Sequence, residues 1–153
     1  MANTYTQLYI QFVFAVQDRM SLIRPEWEEE LYRYVTGIVQ NKSHKMIAVN
    51  GVADHLHLFV GLHTTQSIAD FMRMVKGESS EWINAQRYVT GRFSWQEGYG
   101  AFSYGRSQIN QVYEYIANQK KHHARINFEQ EYIQLLEKFE LKFDKQYIFK
   151  PIH

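Results

Sequence analysis

Two histidines stand one residue apart in the run Asp54-His55-Leu56-His57-Leu58-Phe59-Val60-Gly61. In a β-strand, residues i and i+2 point to the same face. His55 and His57 would therefore project together, with Leu56, Leu58 and Val60 on the opposite face. Two adjacent imidazoles can hold a divalent metal. Equally, one can cap the strand end while the other is satisfied by hydrogen bonds, as half-buried histidines commonly are. Further along, Tyr115 and Gln119 are spaced as i and i+4, so on a helix they share one edge. By itself such an edge is ordinary helix surface.

The elements that must position these residues follow from periodicity. Leu8, Ile10, Phe12, Phe14 and Val16 alternate with Gln7, Tyr9, Gln11 and Val13, which predicts a strand over 6–16 whose second face is too polar and aromatic for ordinary core. Pro25 suits a helix start, and Trp27, Leu31, Tyr34, Val35 and Ile38 form its stripe to about Asn41. Strands over 45–52 and 55–62 form a hairpin. Ser67, with Asp70 three residues on, opens a second helix. A Gly- and aromatic-rich connection over 88–105 contains a fourth strand at about 101–104. Ser107 can cap a third helix reaching about His123, with Ile109, Val112, Tyr113 and Ile116 as its buried side. Asn127 and Gln130 open a fourth helix.

Strand, helix, strand, strand, helix, strand, then extra helices is the split β-α-β order. The expected fold is α+β: a ferredoxin-like (RRM-like) antiparallel sheet with two helices on one face and C-terminal helices beyond it. The first and third strands would lie adjacent in the centre. His55 and His57 would then occupy the open face beside Tyr9 and Gln11, where the third helix is the candidate to meet them.

Composition narrows the chemistry. The 153 residues predict one domain, with a core over about 4–124 and a C-terminal helix and tail over 125–153. The absence of Cys excludes disulfides, thiolate zinc sites and Cys nucleophiles. A net charge of +1 announces no nucleic-acid partner, but a local basic patch is enough for one. Aromatic residues make up 16% of the chain and offer stacking surfaces for unpaired bases. No apolar run approaches the ~20 residues of a membrane span. Met1-Ala2-Asn3-Thr4 lacks the features of a signal peptide, so a cytoplasmic protein is expected.

His55-Leu56-His57 on a strand, followed by Tyr115-Ile116-Ala117-Asn118-Gln119 on a helix, resembles the single-tyrosine HUH transposases of small, IS200-like bacterial insertion sequences. The likeness spans nearly the whole chain, including Trp95-Gln96-Glu97-Gly98-Tyr99 before the tyrosine helix. It implies that His55, His57 and Gln119 hold Mg²⁺ or Mn²⁺ and that Tyr115 is the catalytic nucleophile. It implies single-stranded DNA with a hairpin as substrate, a 5′-phosphotyrosine intermediate with a free 3′-OH, and rejoining by that hydroxyl. It also implies a homodimer with composite sites, in which the tyrosine helix serves the partner's histidine pair. Gly100 and Gly105 are candidate hinges for that helix.

Arg73, Lys76, Lys120, Lys121 and Arg125 are the candidate phosphate contacts. Rival readings are a host-domesticated relative that binds palindromic DNA or RNA, and a metal-dependent phosphodiesterase. The latter wants a second histidine motif, for which His122-His123 on a helix is poorly placed.

Overall fold

The computed structural model describes residues 3–144. Four strands form one antiparallel sheet: β1 (Tyr9–Ala15), β2 (Lys45–Val52), β3 (His55–Gly61) and β4 (Gly100–Tyr104). Their order is β2-β3-β1-β4, so β1 and β3 are the central pair, as the split pattern predicts. In their register Val13 lies opposite His57 and Ala15 opposite His55. At Gly51, in β2 just before the β2–β3 turn, a Cβ would overlap the His55 carbonyl oxygen, so only glycine fits.

One sheet face is covered by α1 (Pro25–Asn41) and α2 (Ile68–Gln86). The alternation of β1 and β3 sends Phe12, Phe14, Leu56, Leu58 and Val60 under these helices, where Leu31, Val35, Phe71 and Val75 complete the main core. Ser67 caps α2 by accepting from the Asp70 N–H at 3.1 Å. The connection before β4 contributes Phe93 and Trp95 to this core, and the Trp95 indole donates to Ser79 Oγ at 2.9 Å.

The other face is covered too, by α3 (Ile109–Ala117), α4 (Gln119–His122) and α5 (Phe128–Lys138). Val112 and Ile116 of α3 pack on Phe59. Phe128, Leu135 and Leu136 of α5 pack on Val13, Ala15 and Phe102. The second face of β1 is therefore buried, with Gln11 only 1% exposed, contrary to the expectation of a face free of core. Its polar groups are covered because they have polar partners, as buried polar groups require.

The predicted third helix is broken. A short 3-10 turn over 106–108 precedes α3, and Gly105 rather than Ser107 stands at its N-cap, its N–H donating to Gln108 Oε1 at 3.0 Å. At Asn118 the helix stops and restarts. The carbonyls of Ile116 and Ala117 accept from the Asn50 side chain of β2 at 2.9 and 3.3 Å, which satisfies groups a helix end leaves without partners. Tyr113 is 50% exposed, not core. The buried side of α3 centres on Val112 and Ile116, which pack on Phe59, and this orientation brings Tyr115 against His57. Among the described residues no helix is long and apolar enough to cross a membrane.

Candidate active site

Between the two apolar clusters of the α3–α5 face lies a buried polar one. His55 and His57 are both fully buried, side by side on β3, with ring centroids 5.2 Å apart. α3 brings Tyr115 against His57, ring centroids 5.8 Å apart. α4 brings Gln119 inward, its Oε1 at 3.2 Å from His55 Nε2. The structure therefore assembles the four residues singled out by the sequence, and it does so within one chain.

At the centre stands a residue that the sequence reading missed. Glu131 of α5 has a fully buried side chain. Its Oε1 faces three imidazoles: His55 Nε2 at 3.2 Å, His57 Nε2 at 3.0 Å and His123 Nε2 at 2.8 Å. Its Oε2 accepts from Gln119 Nε2 at 2.8 Å and from the Tyr115 hydroxyl. His123, read as part of a basic cluster and poorly placed for a site, joins it because the break at Asn118 resets the helix. The signal for Glu131 was present in α5. Phe128, Glu131 and Leu135 fall at i, i+3 and i+7, which puts a carboxylate on an apolar stripe.

Both histidines are held from behind. His55 Nδ1 lies 2.7 Å from Asp54 Oδ1. Gln11 Nε2 donates to His57 Nδ1 at 2.9 Å, while Gln11 Oε1 accepts from the Tyr104 hydroxyl at 2.8 Å. Such outer partners fix ring orientation and aim the Nε2 atoms at the centre.

The charges follow from this packing. Burial opposes a charge on His55, but Asp54 and Glu131 at its two nitrogens outweigh it and raise the pKa to about 9. For His57 burial prevails over Glu131, and its pKa is lowered. Burial alone would raise the Glu131 pKa, but hydrogen bonds from His123, His55 and His57 hold it well below the usual carboxylate range. Burial and then the Glu131 charge push the Tyr115 phenol above its ordinary value.

The donor set suits a divalent cation. His55, His57, His123 and Glu131 each offer one ligand atom, and those atoms lie within 4.8 Å of one another. Beside them a cavity of about 260 Å³ opens onto Tyr115 and Glu131, bordered by Tyr104, Gln108, Gln111 and Lys138.

The candidate phosphate contacts divide. Arg73 is exposed on α2 and pairs with Asp70 at 2.7 Å. Lys121 and Arg125 are exposed. Lys120 pairs with Glu28 at 3.2 Å and donates to Asn50 Oδ1 at 3.0 Å. Lys76 points inward and donates to the carbonyls of Gln96 and Gly98 at 2.7 and 2.5 Å. Of the two candidate hinges, Gly100 lies inside β4, where a Cβ would meet Tyr132 at 2.8 Å, and Gly105 starts the 3-10 turn.

No curated protein sequence matches the chain. Among solved structures, a candidate transposase from Deinococcus radiodurans is 21% identical, with a TM-score of 0.61 over 78% of this chain and 95% of that one. A REP-associated tyrosine transposase, solved bound to a REP hairpin, is 12% identical, with a TM-score of 0.61 over 82% of this chain and 74% of its own. These likenesses show a shared fold. The profile described as "Transposase IS200 like" matches residues 4–119, which spans β1 through Gln119, and the chain belongs to that family.

Proposed function

We propose that this protein cleaves and rejoins single-stranded DNA by attack of Tyr115 on a backbone phosphate. The observation that carries this reading is the meeting of Tyr115, His55, His57 and Gln119 in one buried cluster bordered by an open cavity. The Tyr115 oxygen forms the new bond to phosphorus, and the bond from phosphorus to the 3′ oxygen breaks. The products are a 5′-phosphotyrosine and a 3′-OH. The phenol gives up its proton as this bond forms, and a proton is delivered to the departing 3′ oxygen, so none is gained or lost; Glu131 Oε2, which accepts the phenol's hydrogen bond, orients the hydroxyl. Reversal by a 3′-OH rejoins a strand without an external energy source.

His55, His57 and Gln119 would hold Mg²⁺ or Mn²⁺ at this centre. A bound divalent cation supplies positive charge against the charge developing on the phosphate. The protein's own part is positional. Val112 and Ile116 seat α3 on the sheet, and Asn50 grips its last carbonyls, so the phenol is held at one depth.

A DNA hairpin is the favoured ligand, in keeping with the hairpin bound by the REP-associated relative. Lys121 and Arg125, both exposed, suit its phosphates, with Arg73 and Lys120 as further contacts. A homodimer, as the family likeness implies, would hold two DNA ends together. With Tyr115 and Gln119 beside the chain's own histidines, the cleavage chemistry needs no exchanged helix.

The test is incubation of labelled hairpin-bearing single-stranded DNA with the protein and Mg²⁺ or Mn²⁺. A covalent adduct that survives denaturation is expected with the wild type and not with Tyr115→Phe. Cleavage that persists in Tyr115→Phe would overturn the tyrosine mechanism in favour of a metal-dependent phosphodiesterase. Binding with no adduct would favour a domesticated DNA- or RNA-binding relative.

A further inference from the structure

We propose that His123 and Glu131 are metal ligands alongside His55 and His57, so that α5 completes the metal centre and the site takes a first-row transition cation in preference to Mg²⁺. This inference rests on the reading of His55 and His57 as a metal-holding pair. It extends the centre beyond the part of the chain that the family profile matches, which ends at residue 119.

The spacing is that of a nearly assembled site. Glu131 Oε1 lies 2.8–3.2 Å from three imidazole nitrogens, two on β3 and the third from His123. Donor atoms around a four-coordinate cation with bonds of about 2.1 Å stand roughly 3.4 Å apart. To admit an ion, Glu131 Oε1 draws back from the nitrogens, and the four ligand atoms, already within 4.8 Å of one another, adjust around it.

The hydrogen-bond count points the same way. A carboxylate oxygen offers two lone pairs, yet Oε1 faces three imidazole nitrogens. His55 Nε2 is shared between Glu131 Oε1 and Gln119 Oε1, each at 3.2 Å, whereas a cation would engage all three nitrogens and the carboxylate oxygen at once. Full burial of a carboxylate is itself costly unless it is paired or coordinates a metal. Meanwhile Oε2 is occupied by Gln119 Nε2 and the Tyr115 hydroxyl, which leaves Oε1 as the ligating atom.

The supporting shell is built for it. Asp54 holds His55 Nδ1, so Nε2 is the nitrogen presented to the centre. Gln11 holds His57 Nδ1, and the Tyr104 hydroxyl can accept as well as donate. Gln11 can therefore present its oxygen to an Nδ1–H and free Nε2 for a metal. α5 delivers Glu131 from a firmly anchored start: Asn127 and Gln130 form a reciprocal capping box, and the Phe128 ring packs at a tilt against His55 with ring centroids 4.5 Å apart. Three imidazoles and one carboxylate suit Mn²⁺, Co²⁺ or Zn²⁺ better than Mg²⁺, which favours an all-oxygen octahedron.

The experiment is titration of metal-free full-length protein with Co²⁺, followed by visible absorption and calorimetry, with and without excess Mg²⁺. Wild type, His57→Ala, Glu131→Gln and His123→Gln are compared, each checked for a cooperative unfolding transition. His57→Ala should abolish Co²⁺ binding. Glu131→Gln and His123→Gln should each weaken it by at least ~10-fold, the smallest loss expected even for an outer-shell partner. Excess Mg²⁺ should not displace the Co²⁺. Independently of any variant, X-ray absorption of the Co²⁺-loaded wild type should count three imidazoles. A count of two, displacement by Mg²⁺, or undiminished binding by Glu131→Gln overturns the proposal while leaving the histidine pair intact. Undiminished binding by His57→Ala overturns the pair itself.

Discussion

The Tyr115 hydroxyl donates a hydrogen bond to Glu131 Oε2, joining α3 to α5 across the buried cluster. The residue proposed as nucleophile thus has its hydrogen-bond acceptor in a helix that lies beyond the family-matched region. Burial and the adjacent carboxylate charge hold the phenol above its ordinary pKa, so phenolate is scarce at neutral pH in the metal-free protein. The Glu131→Gln variant removes that charge. Subtracting the alkaline ultraviolet titration of Tyr115→Phe from that of the parent isolates this one phenol. Its ionisation is expected at lower pH in Glu131→Gln than in the wild type; an unchanged midpoint would show that Glu131 does not govern it.

The stability of the metal-free protein should fall on both sides of a pH near 6.5. The His55 pKa is raised from 6.5 to about 9, so the stability it contributes is complete below about 6.5 and lost as pH rises through 9. The loss is on the order of 2–3 kcal/mol. His57 is shifted the other way by burial, so its contribution is present above 6.5 and lost as pH falls below it. Urea unfolding between pH 5 and 9.5 checks both arms. Asp54→Asn removes one partner of the His55 imidazolium and should shift the alkaline loss to lower pH.

Because Tyr115 and Gln119 meet their own chain's histidines, an equimolar mixture of His57→Ala and Tyr115→Phe should form no covalent adduct with hairpin DNA. Exchange of the tyrosine helix between subunits would instead restore about a quarter of the sites, because half the dimers are mixed and one of the two sites in each is intact. Adduct yield on a denaturing gel separates the two arrangements.

Gln11 bonds to His57 Nδ1 at 2.9 Å and is buried between that ring and Tyr104. Gln11→Leu keeps the bulk and removes the orienting amide. Metal affinity is expected to drop by about 10–100-fold, the range for outer-shell partners, with the fold retained. Calorimetric titration with Mn²⁺ measures this directly; equal affinity would show that the His57 ring is fixed by packing alone.

The sheet and the first two helices were legible because each is written as a strong period: the β1 alternation, the α1 stripe behind Pro25, the His55–Val60 run. Boundaries there differ by only a few residues. Legibility ended where tertiary contacts override the pattern. The kink at Asn118 depends on Asn50, which approaches from β2 and leaves no mark within the helix sequence. Tyr113 is exposed and Tyr115 turned inward because the buried side of α3 runs through Val112, Ile116 and Tyr115, which face Phe59 and His57. Glu131 carried a readable local sign, a carboxylate on an apolar stripe. Its meaning depended on three histidines that the chain brings from residues 55, 57 and 123.

Lys76 illustrates how a basic residue can be taken for a DNA contact when it serves the fold. Its ammonium is held by the carbonyls of Gln96 and Gly98, and burial, partly offset by the Glu97 charge, lowers its pKa to about 8. Lys76→Met should destabilise the protein by about 1.5–3 kcal/mol, the range for hydrogen bonds to a charged group, because two carbonyls lose their donor. Lys121 and Arg125 are exposed and should behave oppositely. Replacing both with Gln should leave the unfolding midpoint within a degree or two, as surface changes usually do. It should weaken hairpin binding and reduce the slope of log K against log salt by about 1.4, at ~0.7 per phosphate contact on single-stranded DNA. Filter binding at several salt concentrations, paired with urea unfolding, tests the division. A reduced salt slope in Lys76→Met at unchanged stability would return that lysine to the DNA surface.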